Sequence, residues 1–176
     1  MARTTTQPRG YPFAVLQTNT GFAAGGLQFP AMATAATMAE LQPLLEQQVA
    51  LYLLDCSLDG NDPVAPKPED QLDLQDYREE GEEPEIVYAE PAAMSVISIA
   101  IEEALRQEGI PYAELARRMD VPRSVITRIT NPFYFGHTSR TLRSVAAALG
   151  RHVHVSIDKP NDRGDGRTES PHLIAV

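Results

Sequence analysis

The chain has 176 residues, a formal net charge of -9 and a single cysteine, Cys56. One cysteine excludes an internal disulfide framework and a multi-cysteine metal site, and no apolar run reaches the about 18–20 residues that span a bilayer. The length suits two small domains, and the opening MARTTTQPRG lacks the apolar core of a signal peptide, so a soluble, cytoplasmic protein without a membrane partner is expected.

Residues 1–10 show no periodicity and read as a loose leader. YPFAVLQ from Tyr11 has the aromatic and branched residues of a strand, TNTG at 18–21 is a turn, and FAAGGLQF predicts a second strand of a hairpin. Gly25 and Gly26 mark a bulge, a close backbone approach or plain irregularity. A short third strand is expected near 31–35. Thr37 with Glu40 three residues on is a capping-box signature for a helix running to about Leu54, with Leu41, Leu44, Leu45, Val49, Tyr52 and Leu53 at helical spacing. Pro43 is expected to kink that helix or to move its first turn to about Gln42. Residues 55–84 are acidic and rich in Pro and Gly, which predicts a loop or a partly disordered insertion. EIVYA at 85–89 reads as a last strand before the passage at Pro91.

Ser95 is placed to cap a helix with Ile97, Ala100, Ile101, Ala104 and Leu105 inward and Gly109 at its end. From Tyr112 to Ile129, YAELARRMDVPRSVITRI predicts two short helices and a sharp turn, a helix-turn-helix pattern. Leu115, Ala116, Met119, Val121, Ile126 and Ile129 form its apolar face, with the small Ala116 where the axes approach. Asp120 stands where the backbone turns left-handed, which Asp tolerates better than most side chains. Pro122 fits the first turn of the second helix, where its missing N–H costs nothing. NPFYFGH is a loop. Thr138 or Ser139 then caps a fourth helix with Leu142, Val145, Ala146 and Leu149 inward and Gly150 as its stop. HVHVSI at 152–157 alternates strictly and predicts a strand, which needs a partner across a dimer or back on the first domain. The tail from Asp158 reads as disordered.

The fold class is therefore α+β. A β-β-β-α-β domain occupies 11–90, with an acidic loop at about 55–84, and an all-α domain with a short C-terminal strand occupies 94–157; the tail is 158–176. The net charge alone argues against a nucleic-acid partner, but its distribution reverses that inference. Residues 1–90 hold 4 basic and 15 acidic side chains, whereas 111–151 hold 7 basic and 2 acidic ones.

Over 94–157 the segments MSVISIAIEEALRQEGIPYAELARRMDVPRSVITRI and TLRSVAAALG, with the closing strand, resemble the DNA-binding half of the HicB antitoxin family, in the variety that ends in a helix-turn-helix. Over 11–54 the resemblance rests on element order: YPFAVLQTNTGFAAGGLQFP for the family's strand–turn–strand and ATMAELQPLLEQQVALYL for its capped helix, with the Pro-Asp-Leu-Pro-Gly stretch reduced to FPAMATA. It implies a degenerate RNase-H-like N-terminal domain without nuclease activity. It also implies an antitoxin that neutralises a HicA-like, mRNA-cleaving toxin and represses the operon encoding both. The acidic first half is compatible with a basic partner.

In helix-turn-helix proteins the second helix presents its first turns to base edges, while nearby basic groups hold phosphates. Arg123, Ser124, Thr127 and Arg128 share one outward face and are the expected base-reading residues; Tyr112, Arg117 and Arg140 are expected on phosphates. One such unit touches few base pairs, so a homodimer or higher homo-oligomer on operator DNA is expected. No enzyme activity or cofactor is expected. Residues 11–54 hold only the acids Glu40 and Glu46, and His152 and His154 lack a third metal ligand. The alternative is a free-standing repressor whose first domain senses a small molecule or oligomerises.

Overall fold

In the computed structural model, which describes residues 9–75, 77, 81 and 83–155, the chain forms two compact units, Met1–Ala93 and Met94–Val176. The first is a four-stranded antiparallel sheet with a long helix; the second is helical, so the whole is mixed α+β. The strands are β1 (Tyr11–Thr18), β2 (Gly21–Gly26), β3 (Met32–Ala35) and β4 (Glu85–Ala89), in the order β3-β2-β1-β4. Register pairs Val15 with Ala24 and Phe13 with Val87. Because side chains alternate along a strand, Tyr11, Phe13, Val15, Ala24 and Ala89 reach one face, and there they meet Leu41, Leu45 and Val49 of helix α1 (Met38–Asp59). Gly26 ends β2 where a Cβ would lie 2.4 Å from the Phe29 carbonyl oxygen, which favours the close-approach reading of that glycine.

The Thr37 capping box forms as expected: Thr37 Oγ1 accepts from the Glu40 N–H at 3.2 Å, and the Thr37 N–H donates to the Glu40 carboxylate at 3.2 Å. Pro43 sits inside α1 and does not move its start. A proline there removes the N–H that would bond the carbonyl four residues back, that of the exposed Ala39. The helix also runs past the expected Leu54 to Asp59, and Gly60 closes it in the left-handed conformation.

The acidic stretch is thereby shorter than predicted and its first part is not loose. Tyr11 Oη donates to the Val64 carbonyl at 2.8 Å while the Val64 N–H donates to Tyr52 Oη at 2.9 Å. Gln28 bonds the Ala65 carbonyl and the Lys67 N–H, and Tyr88 Oη donates to the Lys67 carbonyl. Of the tyrosines that supply these bonds, Tyr52 stacks on Phe29 with ring centres 4.3 Å apart, and Tyr11 meets the same ring edge-on at 5.6 Å. Burial raises the Tyr11 hydroxyl's pKa, with the neighbouring Tyr52 and Cys56 adding to it.

The second unit comprises α2 (Val96–Glu108), α3 (Tyr112–Met119), α4 (Arg123–Ile129) and α5 (Ser139–Leu149). Ser95 and Thr138 cap α2 and α5 by accepting from the Ser98 and Thr141 N–H groups. All four helices pack around Ile101, Leu105, Leu115, Ala116, Ile126, Ile129, Val145 and Leu149. Asp120, at φ 53 and ψ 48, closes α3 in the left-handed conformation, and its N–H reaches back toward the last turn. It is the one residue other than glycine with positive φ among the described residues. Pro122 is not in the first turn of α4 but caps it, one residue earlier, with the extended ψ of 147 that a cap position takes.

The strand expected over 152–157 is not formed over 152–155, and Ser156 and Ile157 lie outside the described residues. Strand hydrogen bonds are made to a neighbour, and alternation supplies only the side chains; Val153 and Val155 are 43% and 73% exposed. Residues 1–8 of the expected leader over 1–10, and the tail over 158–176, also lie outside the described residues. Among the described residues, no helix is long and apolar enough to cross a membrane.

Candidate nucleic-acid interface

Two things place α4 at the surface: it is short, and its apolar residues fall on one side. Ile126 and Ile129 are buried against Leu115 of α3, which leaves Arg123, Ser124, Thr127 and Arg128 exposed together on the opposite side. The structure thus brings the four predicted base-reading residues onto one face. Thr127 Oγ1 donates to the Arg123 carbonyl at 3.3 Å, a back-bond within the helix. Among the described residues, Arg123 and Arg140 take part in no ion pair, so their charge is directed to solvent.

The three expected phosphate contacts separate on inspection. Arg140 lies exposed in the first turn of α5. Tyr112 is half-buried against the helical core, and its hydroxyl donates to the Glu102 carboxylate on α2. Burial first, and then that hydrogen bond, raises its pKa, so Tyr112 is a neutral donor engaged within the unit. Arg117 is exposed but held: its Nε and Nη2 donate to Glu114 at 2.9 and 2.8 Å. Arg118 shares the same carboxylate and also donates to the Ala148 carbonyl at 3.0 Å, tying α3 to the end of α5.

The hydrogen bonds from Arg117 and Arg118 hold the Glu114 carboxyl down to about 2, from the ordinary 4.5, and the same pairing raises the Arg117 pKa. A carboxyl whose pKa is lower folded than unfolded stabilises the fold fully above the unfolded value and loses that contribution as pH falls through the folded one. Wild-type protein and Glu114→Gln should therefore differ in urea midpoint at neutral pH by a small amount, since the group is at the surface. That difference should close between pH 4.5 and about 2. A gap independent of pH would show that the carboxylate's charge contributes nothing.

Sequence reasoning left out the groups behind α4. The loop 130–138 folds back so that His137 Nε2 lies 2.9 Å from the Ile129 carbonyl and 3.3 Å from Ser98 Oγ. A carbonyl only accepts, so Nε2 donates to Ile129, and Nδ1 is buried without a hydrogen-bond partner among the described residues. Ser98, wholly buried on α2, donates to the Tyr134 carbonyl at 3.3 Å. The Tyr134 ring meets His137 edge-on at 5.0 Å and lies beneath the Arg128 guanidinium at 5.6 Å. The aromatic run FYFGH directly after the predicted second helix was the available signal.

Compared with known proteins, the chain matches no family model and no curated relative.

Proposed function

We propose that the protein is a HicB-type antitoxin that binds promoter DNA through α3 and α4 as a helix-turn-helix. Its first unit, read as a degenerate RNase-H-like domain, neutralises a HicA-like mRNA-cleaving toxin. The observation that carries the DNA half is the shared exposed face of Arg123, Ser124, Thr127 and Arg128 on a helix whose other side is anchored in the core. A helix presented this way fits the major groove, where Arg pairs with guanine edges and a methyl group meets thymine. The concentration of basic residues over 111–151 in an otherwise acidic chain supports the same reading. The β-β-β-α-β order of the first unit, with its acidic composition, supports a basic protein partner. A homodimer on paired half-sites follows from the few base pairs one helix reaches.

The test has two arms. Full-length protein is titrated against DNA from its own promoter in a gel shift at fixed salt, and it is co-expressed with the product of the adjacent reading frame for pull-down. Specific binding in the first arm and capture of a short basic protein in the second are expected. Promoter binding without such a neighbour would leave a free-standing repressor as the reading; no promoter preference over unrelated DNA would remove the DNA role.

A further inference from the structure

Arg128 stands at the C-terminal end of α4, the end that frays in an isolated seven-residue helix, yet its side chain is supported from below. Its guanidinium lies over the face of Tyr134, 5.6 Å from the ring centre, and among the described residues it has no hydrogen-bond acceptor. The ring itself is fixed at several points. Tyr134 Oη donates to the Gly136 carbonyl at 2.9 Å, His137 abuts the ring edge, and the Tyr134 backbone N–H donates to the Asn131 carbonyl at 2.9 Å. His137 Nε2, in turn, donates to the last-turn carbonyl of Ile129, next to Arg128 in the chain. Gly136 makes room for the ring: a Cβ there would lie 2.5 Å from Tyr134 Oη and 2.9 Å from Cε2.

We infer that Tyr134 is a positioning residue for Arg128, holding its guanidinium outward on α4 for a nucleic-acid contact; this rests on the DNA-binding reading above. An arginine side chain loses much rotamer freedom on binding, and a cation held over a ring has part of that freedom removed before DNA arrives. The ring face satisfies the cation without consuming its N–H donors, which an ion pair with a carboxylate would do, as Glu114 does to Arg117. Arg128 is thereby fixed and unspent. The support is specific to an aromatic ring, and to a glycine two residues after it.

The test is a double-mutant cycle on full-length protein, read as affinity for its promoter DNA at fixed salt, with circular dichroism and thermal melting as the control for folding. Tyr134→Leu should weaken binding by about 2- to 5-fold, the fold-change a surface cation–π contact is worth, and relax discrimination at the base pair that Arg128→Ala also relaxes. Tyr134→Phe, which keeps the ring, should retain most of the affinity. Gly136→Ala should reproduce the Tyr134→Leu effect by displacing the ring without removing it. In an Arg128→Ala background, Tyr134→Leu should cost nothing further. If Tyr134→Leu weakens binding equally with and without Arg128, the positioning role is overturned. If Arg128→Ala alone weakens binding but Tyr134→Leu does not, the positioning role is again overturned while the DNA reading stands. If Arg128→Ala itself leaves affinity unchanged, Arg128 makes no DNA contact and the positioning role is overturned, while promoter preference of the wild-type protein still decides the DNA reading.

Discussion

Replacing Arg123 and Arg128 together with Ala should reduce promoter affinity by about 30-fold to about 20,000-fold at fixed salt while leaving the helical content intact. Each good bidentate arginine contact to a guanine edge is worth about 1–3 kcal/mol of discrimination, and two such contacts on separate turns of α4 sum to about 2–6 kcal/mol. Both side chains are exposed, so their removal leaves no cavity. Arg117→Ala is the contrast. Its guanidinium is already engaged by Glu114, so its loss should weaken binding uniformly across sequences, changing the salt slope by about 1 at most. Gel-shift titrations at two salt concentrations, on promoter DNA and on a scrambled duplex, separate the two behaviours. A double variant that still prefers the promoter would remove α4 from the role proposed for it.

Leu115→Ala is expected to unfold the second unit near room temperature. Leu115 is fully buried at the centre of the helical core, against α4's Ile126 and Ile129. Truncating such a leucine costs about 2–5 kcal/mol through lost transfer energy and the cavity left behind. A unit this small holds only about 3–5 kcal/mol in its single core, so the loss is comparable with the whole. Leu115→Met keeps the volume and should cost less than about 1.5 kcal/mol. Urea unfolding followed by far-ultraviolet circular dichroism reads both, and DNA binding should follow the folded fraction. A Leu115→Ala protein with the wild-type midpoint would mean that this helix pair is held by something other than the core described.

Much of the local structure was legible because its causes lie within a few residues. Thr37 and Glu40, Ser95 and Gly109, and Thr138 and Gly150 specify where helices begin and end through side-chain caps and left-handed stops. Asp120 was readable as a left-handed turn between two apolar patterns. The exposed face of α4 followed from the same periodicity that buries Ile126 and Ile129. Errors arose where a local signal needed a distant partner. α1 is the exception: its left-handed stop is Gly60, a local signal beyond the expected end at Leu54. The strand over 152–155 failed for want of a neighbour. Pro43 did not move the start of α1, which the Thr37 capping box sets.

The sequence by itself determined the types of β1–β4 and α1–α5, the caps, the turn at Asp120, and which side of α4 carries Arg123, Ser124, Thr127 and Arg128. These depend on dihedral preferences and on helical and strand periods, which act over one or two turns. Only the tertiary structure decided that β4 joins the edge of β1, that Gln28, Tyr11 and Tyr52 tether the start of the acidic stretch, and that His137 and Tyr134 fold back behind Arg128. Such contacts pair groups far apart in the chain or across an irregular loop, and no periodicity encodes them. They form where the fold brings a donor and an acceptor, or a cation and a ring face, within reach, and the packed fold alone determines which groups meet.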